Sequence, residues 1–152
     1  MKKLLLTLVL GFTGMVAAFG PADAVCSISA TPIVFGTYDV LNPAPLDTTG
    51  NIIYRCEGRD RNITITLNTG GAPSFATRRM LSGGNQLFYN LFMNAARTVI
   101  WGDGTGGTQF LFVANPQPNN QNITVPVFGR VPALQDVGAG NYSNTITATI
   151  NF

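Results

Sequence analysis

Apolar and polar residues alternate most regularly between Gly140 and Phe152, GNYSNTITATINF. In extended form this stretch puts Tyr142, Ile146, Ala148, Ile150 and Phe152 on one side. Asn141, Ser143, Thr145, Thr147, Thr149 and Asn151 fall on the other, the period-two pattern of a half-buried strand. The apolar face runs to the last residue, so the expectation is a strand whose far edge finds no later segment to pair with. Upstream, Cys26 to Phe35 reads as a first strand bent at Pro32, since proline is tolerated mainly at edges and bulges. Gly36 to Thr49, with Pro43 and Pro45, reads as a loop. Asn51–Cys56 and Asn62–Leu67 are strands, the latter with Ile63, Ile65 and Leu67 on one face, and the polar link Glu57 to Arg61 suits a hairpin. Thr77–Leu81 reads as a short edge strand carrying Arg78 and Arg79. Gln86–Met93 and Thr108–Ala114 are apolar on both faces, as in strands buried on two sides or strands that meet a partner. Thr98–Trp101 runs into Gly102–Gly107, and Asn122–Phe128 is followed by Gly129 to Pro132. About seven or eight short strands separated by turn signals predict an all-β fold, an antiparallel β-sandwich.

The first residues change the picture of where this fold is used. Lys2 and Lys3, an apolar run from Leu4 to about Phe19, and Ala22-Asp23-Ala24 predict a secretory signal peptide over residues 1–24 and one domain over residues 25–152. Cleavage after Ala18 is the alternative. The run is too short and too weakly flanked for a membrane span, so no integral membrane protein is expected. Export bears on the two cysteines, Cys26 and Cys56: an even number in an oxidising compartment argues for one intrachain disulfide, with two free thiols as the alternative. Closing a loop of about thirty residues stabilises a fold by roughly 3 to 4 kcal/mol in the chain-entropy model.

Charge and candidate chemistry mostly exclude. The formal net charge is +2, and both lysines lie in the leader, so there is no basic stripe for nucleic acid. The chain has no histidine, which removes the commonest general base and the Ser-His-Asp and Cys-His systems. Schiff-base chemistry is excluded with lysine. Asp39, Asp47, Glu57, Asp60, Asp103 and Asp136 sit mostly beside Gly, Pro or Arg in predicted loops and read as solvated groups rather than a glycosidase dyad. The Gly102–Gly107 loop lacks the Lys-Ser/Thr end of a phosphate loop and reads as a tight connection. No enzyme, cofactor or metal site is expected. Phe75, Phe88, Phe92, Phe110, Phe112 and Phe128 read as core rather than as a ligand platform, with exposure of some of those on the two-faced strands, as an apolar contact patch, the alternative.

Read together, Cys26, Phe35-Gly36-Thr37-Tyr38, Gly50-Asn51-Ile52 leading to Cys56, Arg79-Met80-Leu81, Leu87-Tyr89-Leu91, Trp101-Gly102-Asp103-Gly104, Gly129-Arg130-Val131-Pro132 and Gly140-x-Tyr142 ending in Phe152 resemble the spore coat protein U domain. That family includes subunits of archaic chaperone-usher pili of Gram-negative bacteria. Asn144 departs from its pattern, where an acidic residue would be expected. The resemblance implies an immunoglobulin-like sandwich lacking its last strand, and a surface pilus subunit for adhesion and biofilm. It implies as partners a periplasmic chaperone, an outer-membrane usher and neighbouring subunits. Tyr142, Ile146, Ala148, Ile150 and Phe152 would then form one lip of a strand-acceptor groove and the chaperone contact, with the Phe152 carboxylate an anchor for a basic chaperone residue. Cleavage at Ala24 leaves only Val25 before Cys26, so the expectation is a subunit that accepts a strand but gives none, at the tip or as a minor component. The alternative of another kind is a self-closed, secreted coat-like structural protein.

Overall fold

The computed structural model describes residues 25–57, 62–115 and 120–152; the expected leader, Asp60 and most of the Glu57–Arg61 link lie outside them. The described residues form nine strands: β1 (Val25–Ala30), β2 (Leu46–Glu57), β3 (Ile63–Leu67), β4 (Arg79–Ser82), β5 (Asn85–Phe88), β6 (Asn90–Phe92), β7 (Leu111–Val113), β8 (Ile123–Val131) and β9 (Ala148–Asn151). They make one sheet in the order β1-β2-β8-β6, a second in the order β7-β3-β9, and a hairpin of β4 and β5. Every pair of these strands is antiparallel. The fold is all-β, consistent with an immunoglobulin-like sandwich. The Cys26–Cys56 disulfide is present and ties β1 to β2 at a directly paired position.

Alternation places the core. Along β2 the inward residues Ile52, Tyr54 and Cys56 are buried, and along β3 so are Ile63, Ile65 and Leu67. Val127 and Val131 of β8 face them, with Leu87, Tyr89 and Leu91 of the β5–β6 region. Trp101 is fully buried among these residues and donates its indole N–H to the Ile65 carbonyl at 3.0 Å. Its segment also joins the two sheets. Trp101 N–H bonds the Leu91 carbonyl at 2.9 Å, Gln109 N–H bonds Ile100 O at 3.0 Å, and Leu67 N–H bonds Gly102 O at 3.1 Å. On the β6–β7 side the sandwich is therefore bridged by backbone. On the β1–β9 side no described residue bridges it in this way; β1 and β9 approach without pairing.

Several boundaries differ from the sequence reading. The loop Gly36–Thr49 is shorter, because Leu46–Thr49 continue β2 in register with Phe128–Val131 of β8. Gln86–Met93 is two strands, not one: Phe88 pairs with Arg79 in the hairpin, whereas Asn90 pairs with Arg130 in the first sheet. Thr98–Trp101 forms isolated bridges only, and regular pairing of the C-terminal stretch is confined to β9. Of the six phenylalanines Phe75 is buried, whereas the alternative of exposure holds for Phe88 and Phe112, on the outward faces of β5 and β7, and for Phe110 just before β7. Phe92 and Phe128 instead pair across the outer face of β6 and β8, with the Arg97 guanidinium 5.8 Å above the Phe128 ring.

An acidic switch of modest size lies on the same sheet. Asp47 takes Arg130 Nε at 2.7 Å and Nη2 at 2.8 Å, and lies 3.3 Å from Arg97 Nη1. The bidentate Arg130 bond outweighs partial burial and holds the Asp47 carboxyl below the usual range. A carboxyl lowered on folding adds stability above its unfolded pKa, near 4, which is lost as pH falls through the lower folded value. Asp47→Asn is expected to lower the urea midpoint at pH 7 and to change it little at pH 2. A midpoint unaffected at pH 7 would show that solvent screens the pair completely.

Candidate functional site

The unbridged side of the sandwich is a groove, and each of its walls follows from local sequence. After Ala30 the chain leaves the β1–β2 ladder, held at its start by Thr31 N–H to the Asn51 carbonyl at 2.9 Å. Pro32 follows and cannot donate to a ladder. Ile33 and Phe35 then turn inward over two glycines of the first sheet. A Cβ at Gly50 would sit 2.6 Å from Ile33 Cγ1, and one at Gly129 would sit 2.8 Å from the Phe35 ring. Hydrogen is the largest substituent that lets this segment lie so close. Val34, between them, points to solvent.

The opposite wall is the stretch from Tyr142 to Ala148. Ser143 exchanges both backbone hydrogen bonds with Leu81, at 2.9 and 3.1 Å. Thr147 O accepts Asn68 N–H at 3.1 Å, and Thr147 N–H is taken by Asn68 Oδ1 at 3.0 Å. Ser143 and Thr147 thus spend their backbone groups on β4 and on Asn68, just past β3. Strand geometry turns those of the even-numbered residues the other way, into the groove. Ile146 N–H and C=O accordingly make no hydrogen bond with any described residue.

Between the walls is a cavity of about 430 Å³ floored by Ile52, Leu67, Tyr89, Leu91 and Val127. It meets a second cavity of about 760 Å³ at Ile33, Phe35, Met80 and Tyr142. The second is bordered by residues 33–40 and 137–142. The lining is mainly apolar, with one polar pair at the floor. Asn144 Nδ2 donates to Tyr89 Oη at 3.1 Å, and burial pushes the Tyr89 phenol above its ordinary value.

Of the residues read as one lip, Tyr142, Ile146 and Ala148 line this groove together. Ile150 packs on the core but lies outside both cavities, at the end where β1 and β9 approach. Phe152 is exposed and lies outside them too. The facing wall, Ile33 and Phe35, and the floor residue Tyr89 were not singled out as groove residues from sequence. The signal for the first was available: two inward apolar residues immediately after a proline that ends pairing. Asn144 also fell in register with Tyr142 and Ile146, so a polar break in the apolar face was visible.

Other candidate chemistry stays dispersed. Among the described residues no group of three or more His, Cys, Asp or Glu is close enough to hold a metal ion. Asp103 is occupied by the Thr105 hydroxyl and N–H, at 2.6 and 2.9 Å, and the glycine-rich loop around it turns through positive φ at Gly104, Gly106 and Gly107. No helix among the described residues is long and apolar enough to cross a membrane.

Comparison with known proteins agrees with this architecture. A family profile described as Spore Coat Protein U domain matches residues 13–149. Protein U of Myxococcus xanthus is 36% identical over an alignment of 132 residues, covering 78% of this chain and 70% of that protein. A chain of the CsuC-CsuE chaperone-tip adhesion subunit pre-assembly complex, from the archaic chaperone-usher Csu pili of Acinetobacter baumannii, superposes with a TM-score of 0.55 at 26% identity. That match takes in 85% of this chain but spans 40% of the length of the other.

Proposed function

The chain belongs to the Spore Coat Protein U domain family, and we propose that residues 25–152 are an exported structural subunit of a surface pilus, with residues 1–24 as its leader. In this reading the groove receives a strand from a periplasmic chaperone and later from a neighbouring subunit. Usher-dependent assembly then carries the protein to the cell surface. One observation carries the reading: the apolar groove lies against a stretch of chain whose backbone groups at Ile146 have no partner among the described residues. Unpaired edges with alternate side-chain pockets suit strand addition. A self-closed coat protein would need its own backbone along that edge; the absence of a bond from Ile146 to any described residue supports the borrowed strand instead. The likeness to a chain of a chaperone-tip adhesion subunit complex supports the same partner class. β1 starts at Val25, so a leader ending at Ala24 leaves no free arm to donate, which favours a terminal position; N-terminal sequencing that finds a long arm would remove that placement.

Ile146→Asp tests the groove directly. A carboxylate there must be buried without a partner when a strand docks, at a cost of several kcal/mol. Co-expression with the cognate chaperone is expected to yield at least tenfold less chaperone-bound Ile146→Asp than parent. Thr147→Asp, on the outward side of the same stretch, should be captured like the parent. Equal capture of parent and Ile146→Asp would exclude this groove as the docking site.

A further inference from the structure

Tyr89 and Asn144 are polar groups fixed at the floor of an apolar groove. Tyr89 is only 5% exposed. Its ring is held by an edge contact with Phe35, centroids 5.8 Å apart, and its backbone N–H by the Arg78 carbonyl at 3.0 Å. The orientation of the Asn144 carboxamide is set because Oδ1 accepts Thr145 N–H at 2.7 Å, leaving Nδ2 to face Tyr89 Oη. Gly70 lies behind it: a Cβ there would come 2.6 Å from Asn144 Nδ2, so the carboxamide packs directly on the backbone. Neither group can swing away.

The hydrogen-bond inventory of this pair is incomplete. Tyr89 Oη accepts from Asn144, but no described residue accepts the hydroxyl's own hydrogen. Nor does any described acceptor take the second Nδ2 hydrogen. Burial raises the Tyr89 phenol, so it remains a protonated donor at neutral pH. A buried donor without an acceptor opposes folding and binding alike. A strand laid over this floor removes the remaining access to solvent, so that strand must bring the acceptor.

We propose that the strand received by the groove carries a short hydroxyl side chain, serine or threonine, at the inward position over Tyr89 and Asn144, with apolar residues at its other inward positions. The proposal rests on the strand-acceptor reading above. The acceptor must come from a side chain, because the carbonyls of an added strand point sideways to its neighbours while alternate side chains point at the floor. A carboxylate does not suit the position: the nearby Arg78 guanidinium is turned away, onto the carbonyls of Asn68 and Trp101, and no cation lines the cavity among the described residues. A carboxamide would bring two further donors to a floor that already offers donors among Ile52, Leu91 and Val127. A hydroxyl accepts through its lone pairs and adds a single donor that can rotate.

The test uses the purified full chain and fluorescein-labelled synthetic peptides of about a dozen residues, long enough for one strand. The reference peptide has valine at every inward position; in the others threonine, of the same shape, replaces valine at one inward position in turn. Fluorescence anisotropy is expected to show one position at which threonine binds about three- to tenfold more tightly than valine. Tyr89→Phe should remove that preference and tighten binding of the all-valine peptide, which no longer covers an unpaired hydroxyl. Asn144→Leu is the second variant, should the first fold poorly, and is expected to shrink the preference in the same direction. A flat threonine profile with the peptides still bound would overturn the inference and leave strand addition standing. Failure of every peptide to bind would overturn the strand-acceptor reading and the inference with it.

Discussion

Replacing Arg78 with methionine is expected to destabilise the protein by about 3 to 5 kcal/mol, enough to unfold a large share of a domain of ordinary stability. Arg78 is fully buried and has no carboxylate within ion-pair distance among the described residues. Its guanidinium instead donates to Asn68 O from Nε and Nη2, at 3.1 and 2.7 Å, to Trp101 O at 2.8 Å and to Asn90 Oδ1 at 3.1 Å. It also lies 5.1 Å over the Phe75 ring. One side chain thus pins the turn after β3, the start of β6 and the segment that bridges the two sheets. Burial opposes the charge and pulls the Arg78 pKa down to about 10. Methionine relieves that desolvation but leaves the Trp101 and Asn68 carbonyls without donors, at about 1 to 3 kcal/mol each. Lysine keeps the charge without the fork and should recover little. Urea unfolding followed by the fluorescence of Trp101, the sole tryptophan, reads the effect. A methionine variant within about 1 kcal/mol of the parent would mean that these bonds are replaced by water or by repacking.

Arg78 also marks what was legible in the sequence. Placed with Arg79 on a short edge strand over Thr77–Leu81, it carries no sign of burial in the sequence, because charged residues are rarely buried without partners. Its partners are backbone carbonyls distant in sequence, and no local pattern announces them. Residues that alternate within one segment were far easier to place. Ile63, Ile65 and Leu67 face inward as their spacing says, and so do Tyr142, Ile146 and Ala148. The cysteine pair was readable too, since export leaves two thiols few fates. Which phenylalanines are exposed was not legible, for the opposite reason: Phe88 and Phe112 lie on the outward phase of strands apolar on both faces, and hydrophobicity alone does not give the phase. The groove was half visible. Its C-terminal wall is an alternating strand, whereas Ile33 and Phe35 become a wall only because Gly50 and Gly129, remote in sequence, let them lie close.

Supplying the groove with a strand in cis is expected to have the other large effect. A segment with valine at alternate positions, joined after Phe152 through an Asn-Gly turn, can run antiparallel to the Tyr142–Ile150 edge. Each valine buried against the floor contributes about 1.5 kcal/mol or more. The backbone gains a ladder with Ile146 and its even-numbered neighbours, which offsets much of the chain freedom lost. A net gain of about 3 kcal/mol would raise the melting temperature of a domain of this size by about 10 °C. The same segment with aspartate at the inward positions should give no rise, because each carboxylate would be buried unpaired. Hydrogen exchange locates the effect: the Ile146 amide should exchange quickly in the parent and become protected in the valine fusion, while the Thr147 amide, already held by Asn68 at 3.0 Å, changes less. Protection of Ile146 before any strand is added would mean that this edge is already paired in the isolated protein, and the case for a borrowed strand would fall with it.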